Sequence, residues 1–442
     1  MTGVAAPARP VSQTSGRPAG WPLYLLFGLV PLWWVLGLGG LIWIALAVPM
    51  LATLVKLGRV RLPRGFGLWV AFLAWMLISA TQLGNGTASP LAFGYRAALY
   101  LAITVLFVYV YNLPRASVPA RRVVLLLTVF WAVVVLFGFL DLALPDARIS
   151  SPIAGLLPVE IASNSLVQDL MNPRLAQVQD FVGYPVARPA APFTFTNEWG
   201  GALALLTPIA IASLGLLRSY LARNLIRLLL VASLVPMVVS LDRGLWLGLG
   251  FGLVYAAVRV ALRGNLKGLL AIVAFLSVIG ALVLLTPLNQ FVEDRLAHPH
   301  SNARRQTLAA GAISSWKGSP LLGYGGTQAS DNPNSPDVGT HGQVYLVLVS
   351  HGLPGLLFFI GWFLWAAWVS VRGASGLPLW AHVVLLIGLL ECFFYNMLPT
   401  QLGLMMVAAA LVMRELGAEP ARAGRRLASG PAVRSGPLAP TG

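Results

Sequence analysis

The stretch VVSLDRGLWLG, residues 238–248, sets Asp242 and Arg243 side by side in the middle of apolar sequence. Arg304 and Arg305 are adjacent in SNARRQTLAAGAISSW, and His341 stands in DVGTHGQVYLVLVSHG just before another apolar run. These residue types point to one kind of chemistry. Guanidinium forks pair with phosphate or carboxylate oxygens, and an imidazole, with an ordinary pKa of about 6.5, can take a proton at neutral pH. An anionic ligand beside a proton acceptor is therefore the arrangement to look for. Plainer readings stand next to it. Arg243 can snorkel to an interface or pair with Asp242, Asp242 can cap a helix, Arg304 and Arg305 can face lipid headgroups, and His341 can simply begin a helix.

Whether those residues meet depends on the elements that carry them. Of the 442 residues 57% are hydrophobic and only 10% charged, against about a quarter charged in a soluble domain. The expected fold is an all-α polytopic membrane protein. Apolar runs fall at roughly 21–37, 38–55, 66–83, 91–112, 123–144, 199–217, 226–241, 244–262, 268–287, 343–371, 378–398 and 400–414, which gives about twelve transmembrane helices of ~20 residues. A net charge of +16 would suggest nucleic acid in a soluble chain, but the placement of the charges excludes that partner. With the N-terminus placed inside, 21 of the 30 Lys and Arg residues fall in inner segments, whereas only Glu415 and Glu419 of the 14 acids do. This is the positive-inside pattern. It places both termini in the cytoplasm, with residues 1–20 and 415–442 as flexible tails around a membrane domain at 21–414. The single cysteine, Cys392, allows no intramolecular disulfide and no cysteine metal cluster.

Two outer loops, about 145–198 and 288–342, are far longer than the rest and are expected to carry function. Nine basic residues break the inside rule: Arg96, Arg148, Arg174, Arg188, Arg243, Arg295, Arg304, Arg305 and Lys317. In the second loop, Ser301 or Asn302 reads as the N-cap of an amphipathic helix through Leu308, Ala312 or Ile313, and Trp316. Arg304 and Arg305 would then sit in its first turn, where the helix dipole disfavours cations unless an anion is bound. The HPH of His298 and His300 lacks companion ligands, and no metal site is expected. His351 and His382 lie within spans and read as packing or hydrogen-bonding residues. In ARPAAPFTFTNEWG, Thr196 or Asn197 reads as a helix N-cap, and Arg188 can serve the same anion as the others.

The order of these motifs resembles the O-antigen ligase and O-antigen polymerase superfamily of membrane glycosyltransferases. The matching parts are RPAAPFTFTN, SLDRG, the block SNARR…SPLLGYG, and THGQVYLVLVSHGLPGLL. Arg305 lies 15 residues before Pro320 and His341 lies 11 before Gly352, as in the family. Gly342 departs from the pattern, which commonly has Asn or Ser after the histidine. The resemblance covers about 188–360.

What it implies is a GT-C-like fold in the cytoplasmic (inner) membrane with an extracytoplasmic active site. There a glycan passes from an undecaprenyl-diphosphate-linked donor to an acceptor hydroxyl with inversion, without metal or cofactor. His341 would be the general base, and Arg243, Arg305 and Arg188 would bind the diphosphate, with Arg304 and Asn197 in secondary parts. The acceptor is a lipid or glycan in a ligase, and another lipid-linked repeat in a polymerase. A transporter or flippase of lipid-linked glycans is the alternative from a different class. It would bind near the midplane, whereas here the one acid well inside a span is Glu391 and the unusual cations lie at outer helix ends.

Overall fold

The computed structural model describes residues 20–85, 87–156, 158, 165–180, 184–285, 300–330, 337–373 and 375–416. The tails at 1–19 and 417–442, and residues 286–299 with Arg295 and His298, lie outside them. Helices occupy all twelve apolar runs: α1 Trp21–Gly28 with α2 Val30–Val35, α3 Leu41–Leu57, α4 Phe66–Ser79, α5 Pro90–Asn112 and α6 Ala120–Ala143. After the short α7, Ser165–Met171, come α8 Thr196–Ser213, α9 Tyr220–Ala232 with α10 Leu234–Val239, α11 Arg243–Ala261 and α12 Leu266–Leu285. The series ends with α13 His300–Gly318, α14 Gln343–Ser370, α15 Gly376–Glu391 and α16 Thr400–Leu416. Among the described residues five stretches are long and apolar enough to cross a membrane by length and composition: α5, α6, the α9 and α10 pair, α11 and α14. The chain is a helical, multi-pass membrane protein.

The expectation of an all-α chain needs one correction. In the first long loop, strands β1 Ala176–Asp180 and β2 Pro185–Pro189 pair antiparallel, with Gln177 opposite Arg188. The alternation in AQVQD is a period-two signal, too short to stand out against the surrounding apolar runs.

Helices α8 and α16 form the centre. Thr400 to Arg414 are buried without interruption, and α8 is buried along nearly its whole length, as a helix apolar on all sides must be. Small residues allow the close approach typical of packed membrane helices. A Cβ on Gly403 would lie 2.3 Å from the Trp43 ring, and one on Gly252 would lie 2.5 Å from Ile387. On the outside, Leu221, Val55 and Trp368 are exposed, an apolar surface suited to lipid rather than water.

Helix α14 is broken. Gly352 has φ 66° and ψ −173°, two residues before Pro354, whose ring cannot donate a backbone hydrogen bond. A broken helix inside a membrane must find partners for its freed backbone groups, and residues 320–325 supply them. Tyr324 N–H donates to Val349 O at 3.0 Å, Gly325 N–H to Ser350 O at 2.9 Å, and Leu353 N–H to Pro320 O at 2.8 Å. Only glycine fits at the contact, because a Cβ on Gly352 would lie 2.1 Å from Leu321 O. The SPLLGYG block is thus the filling of the break in α14.

Candidate functional site

Arg243 is the first residue of α11. Asp242 caps that helix as expected, its Oδ1 accepting from Gly244 N–H at 3.1 Å. The preceding residue, Leu241, has a positive φ of 51°, a rare conformation for a branched side chain. It is tolerated because Leu241 is fully buried against Val186 and Trp246. The backbone there is over-determined, and it presents Arg243 half-buried at the tip of the α10–α11 hairpin.

Arg188 secures the same turn from β2. Its Nε donates to Ser240 O and its Nη1 to Gln179 Oε1 at 2.7 Å. With two nitrogens committed to protein groups while buried, Arg188 supports the hairpin on which Arg243 stands.

His341 reaches this hairpin through Tyr395, in the turn between α15 and α16. The Tyr395 hydroxyl donates to Asp242 Oδ1, and the Tyr395 carbonyl accepts from Gln343 N–H at 2.7 Å. Gln343, wholly buried, also donates through Nε2 to the Tyr100 hydroxyl at 2.6 Å and accepts from Met397 N–H at 3.0 Å. A short bonded path therefore runs from Asp242, next to Arg243, to Gln343, two residues after His341. Glycines make room for it. A Cβ on Gly244 would lie 2.2 Å from the Tyr395 hydroxyl, and one on Gly200 would lie 2.4 Å from Asp242 Oδ2.

Thr340 stands beside the histidine ring, its hydroxyl 3.0 Å from His341 Nδ1 and donating to Asp337 O at 2.7 Å. A hydroxyl has a single proton to give; while Asp337 O takes it, Thr340 can only accept from an Nδ1–H, and that tautomer leaves the lone pair on Nε2.

Gly342 also finds its reason. Its φ is 123°, and a Cβ there would lie 2.8 Å from Phe393 O. The close contact with the turn that holds Tyr395 leaves no room for a side chain at this position.

The second-loop helix differs from its expected start. Ser301 and Asn302 are inside α13, so neither is its cap, and Arg304 and Arg305 are the fifth and sixth residues of the described helix, in its second turn. The dipole argument for an anion weakens accordingly, since the effect fades beyond the first turn. The side chains of both arginines lie outside the described part of the structure. The rest of α13 is held on α14. Ala312 is buried while Ile313 is exposed, which selects the face, Trp316 Nε1 donates to Pro320 O at 3.1 Å, and the Tyr324 hydroxyl donates to Ser315 O at 3.1 Å. The helix bearing the arginine pair is thus stapled to the break in the helix that follows His341.

Other expectations fare differently. Phe195, not Thr196 or Asn197, is the N-cap of α8, its carbonyl accepting from Trp199 N–H at 3.2 Å, while Thr196 N–H is satisfied from outside by Gln177 Oε1 at 3.1 Å. Asn197 is the second residue of that helix. His351 and His382 hold neighbouring helices, His351 Nδ1 lying 2.7 Å from the Ser79 hydroxyl and His382 Nδ1 2.7 Å from that of Ser370. Tyr395, Gln343 and Thr340 are the residues that sequence reasoning missed. A tyrosine between two apolar runs in FFYNMLP was the available signal for the first, and a glutamine opening a span the signal for the second.

Residues 228–360 match a family model described as O-antigen ligase. No curated protein matches the chain. The matched segment is under a third of the chain and contains Arg243, Arg304, Arg305 and His341; Arg188, Asn197 and Tyr395 lie outside it.

Proposed function

We propose that this member of the O-antigen ligase superfamily transfers a glycan from an undecaprenyl-diphosphate-linked donor to an acceptor hydroxyl. In this reading its twelve helical runs span the cytoplasmic membrane in a GT-C-like arrangement, with both termini cytoplasmic and the site facing outward. His341 Nε2 takes the proton of the acceptor hydroxyl as that oxygen attacks the anomeric carbon. The bond from that carbon to the diphosphate oxygen breaks, and the leaving diphosphate keeps the electron pair. Arg243 and Arg305 bind its oxygens and stabilise the charge that develops there, while Arg188 holds the turn that aims Arg243. Attack from the face opposite the leaving group inverts the anomeric centre. The resemblance implies that no metal takes part.

The observation that supports this reading is the bonded path from Asp242, beside Arg243, through Tyr395 to Gln343, two residues after His341. It ties the hairpin that carries Arg243 to the helix that opens after the base. A broken α14 is a feature that transporters share, but here its freed carbonyls are taken up by the chain's own loop, so it offers them to no cargo. The test is a single-turnover assay with purified protein, a lipid-linked glycan donor and an acceptor glycolipid. His341→Ala is expected to slow transfer by about two to four orders of magnitude. Transfer at the wild-type rate in that variant, or transport of donor across vesicles without transfer, would overturn the proposal.

A further inference from the structure

Arg96 is one of the outward-facing cations to which the transfer reading gives no part. It stands on α5, and with Tyr100, Ser350 and His351 it forms the polar lining of a cavity of about 10 Å³ beside the break in α14. Tyr100, Ser350 and His351 are buried and Arg96 is half-buried. The other side chains around the cavity, Phe93 and Leu346 among them, are apolar.

The polar groups here have hydrogens to give and little to give them to. Ser213, Ser233, Ser240 and Ser370, also buried, each donate to the carbonyl three residues back at 2.7–2.9 Å. Ser350 does not, and its Oγ has no partner among the described residues. The Tyr100 hydroxyl accepts from Gln343 Nε2 at 2.6 Å, which leaves its own hydrogen to donate. His351 is held to α4, its Nδ1 2.7 Å from the Ser79 hydroxyl. Arg96 donates to the Thr327 hydroxyl at 3.4 Å and makes no ion pair among the described residues. A carboxylate is reached only through Thr327, whose hydroxyl donates to Asp337 Oδ2 at 3.4 Å, and Asp337 is exposed. A cation drawn out of water among apolar groups calls for a closer counter-charge.

We propose that this cavity binds a single halide ion, chloride under ordinary conditions. Its volume is near the lower bound for one water, about 10–15 Å³, which suits a monatomic ion and leaves no space for phosphate, carboxylate or sugar. A water would need acceptors for its two hydrogens, whereas Arg96, Tyr100 and Ser350 all offer donors. A halide accepts from all three and supplies the charge that Arg96 lacks. Bound there, it ties α5 to the break in α14. The site stands apart from the transfer reading, since neither Arg243 nor His341 lines the cavity.

The test uses full-length protein in phosphatidylcholine nanodiscs, with sodium gluconate replaced stepwise by sodium chloride at constant ionic strength. The unfolding temperature is expected to rise saturably with chloride, and with bromide in its place. Arg96→Gln should weaken the chloride affinity read from that rise at least tenfold. Ser350→Ala separates ligand from fold. In gluconate it should be at least as stable as the wild type, because a buried hydroxyl without a partner is costly; in chloride it should bind about fivefold more weakly, the worth of one hydrogen bond. Equal unfolding temperatures of the wild type in the two salts would mean that the cavity holds water alone and would overturn the proposal. A chloride-dependent rise retained in full by both variants would overturn it too, by placing the ion at other cations.

Discussion

Arg414 and Arg243, at the two ends of the helical bundle, stand in opposite local fields. At the end where α5, α8, α11, α14 and α16 finish, guanidiniums donate to the carbonyls that helix C-termini leave unsatisfied. Arg414 reaches Val118 O at 2.8 Å, Val110 O at 3.2 Å and Leu113 O at 3.5 Å. Arg115 donates to Arg414 O, Arg121 to Leu216 O at 2.9 Å, and Arg259 to Val371 O at 2.7 Å. Apart from Val118 O, which belongs to the turn before α6, these carbonyls lie at helix C-terminal ends, where the cation meets the negative end of the dipole. At the opposite end Arg243 opens α11, where the dipole is positive and a cation is disfavoured by about 0.3–1 kcal/mol. Its hairpin is held by Arg188, Asp242, Tyr395 and a strained Leu241. On the proposed reading, a residue placed against its local field, on backbone this firmly built, serves a ligand.

The sharpest way to break that contrast is Arg243→Gln. Removal of one electrostatic donor aimed at a leaving group costs about 10²–10³ in rate, so single-turnover transfer should fall by that amount while the unfolding temperature holds, because Asp242 still caps α11. A loss below threefold would return Arg243 to the snorkelling role that its neighbours on sequence grounds equally allow.

A smaller effect is expected from Thr340→Val, which removes the hydroxyl 3.0 Å from His341 Nδ1. Transfer should slow about tenfold, the cost of roughly one hydrogen bond. Thr340→Ser keeps the hydroxyl and should restore the rate. A Val variant with the wild-type rate would show that the ring is held elsewhere.

How much of this was legible in the sequence follows from the range of the forces involved. Helix runs are written in local hydropathy, and each of the twelve coincides with helix in the structure. The cap at Asp242 was legible for the same reason, since it spans two residues. Three features resisted. The hairpin at 176–189 is two five-residue strands, and Arg188 was visible as a stray cation without any sign that it holds the Ser240 carbonyl 52 residues away. The start of α13 was misplaced because a serine and an asparagine resemble a cap whether or not the helix runs through them. Tyr395 was missed outright: a tyrosine between two apolar runs marks the position, but its partner, Asp242, is 153 residues distant. Gly342 was legible as a departure from a pattern, but its cause, the carbonyl of Phe393, belongs to another helix end.

The weakest expected effect on chemistry is also the one that tests the comparison from the other side. Arg414 is buried and holds three carbonyls of the α5 end and the following turn. Arg414→Gln retains one amide nitrogen with two hydrogens, so at least one carbonyl loses its donor. Charged hydrogen bonds contribute about 1.5–3 kcal/mol each, and the variant should unfold several degrees lower in detergent or nanodiscs. Turnover per folded molecule should be unchanged, because the site around His341 lies at the other end of α14 and α16. The two measurements separate the two uses of arginine. If Arg414→Gln kept its unfolding temperature but lost transfer, the arginines at the Arg414 end would be acting on the reaction, and the division between cations that serve helix ends and cations that serve a ligand would fail.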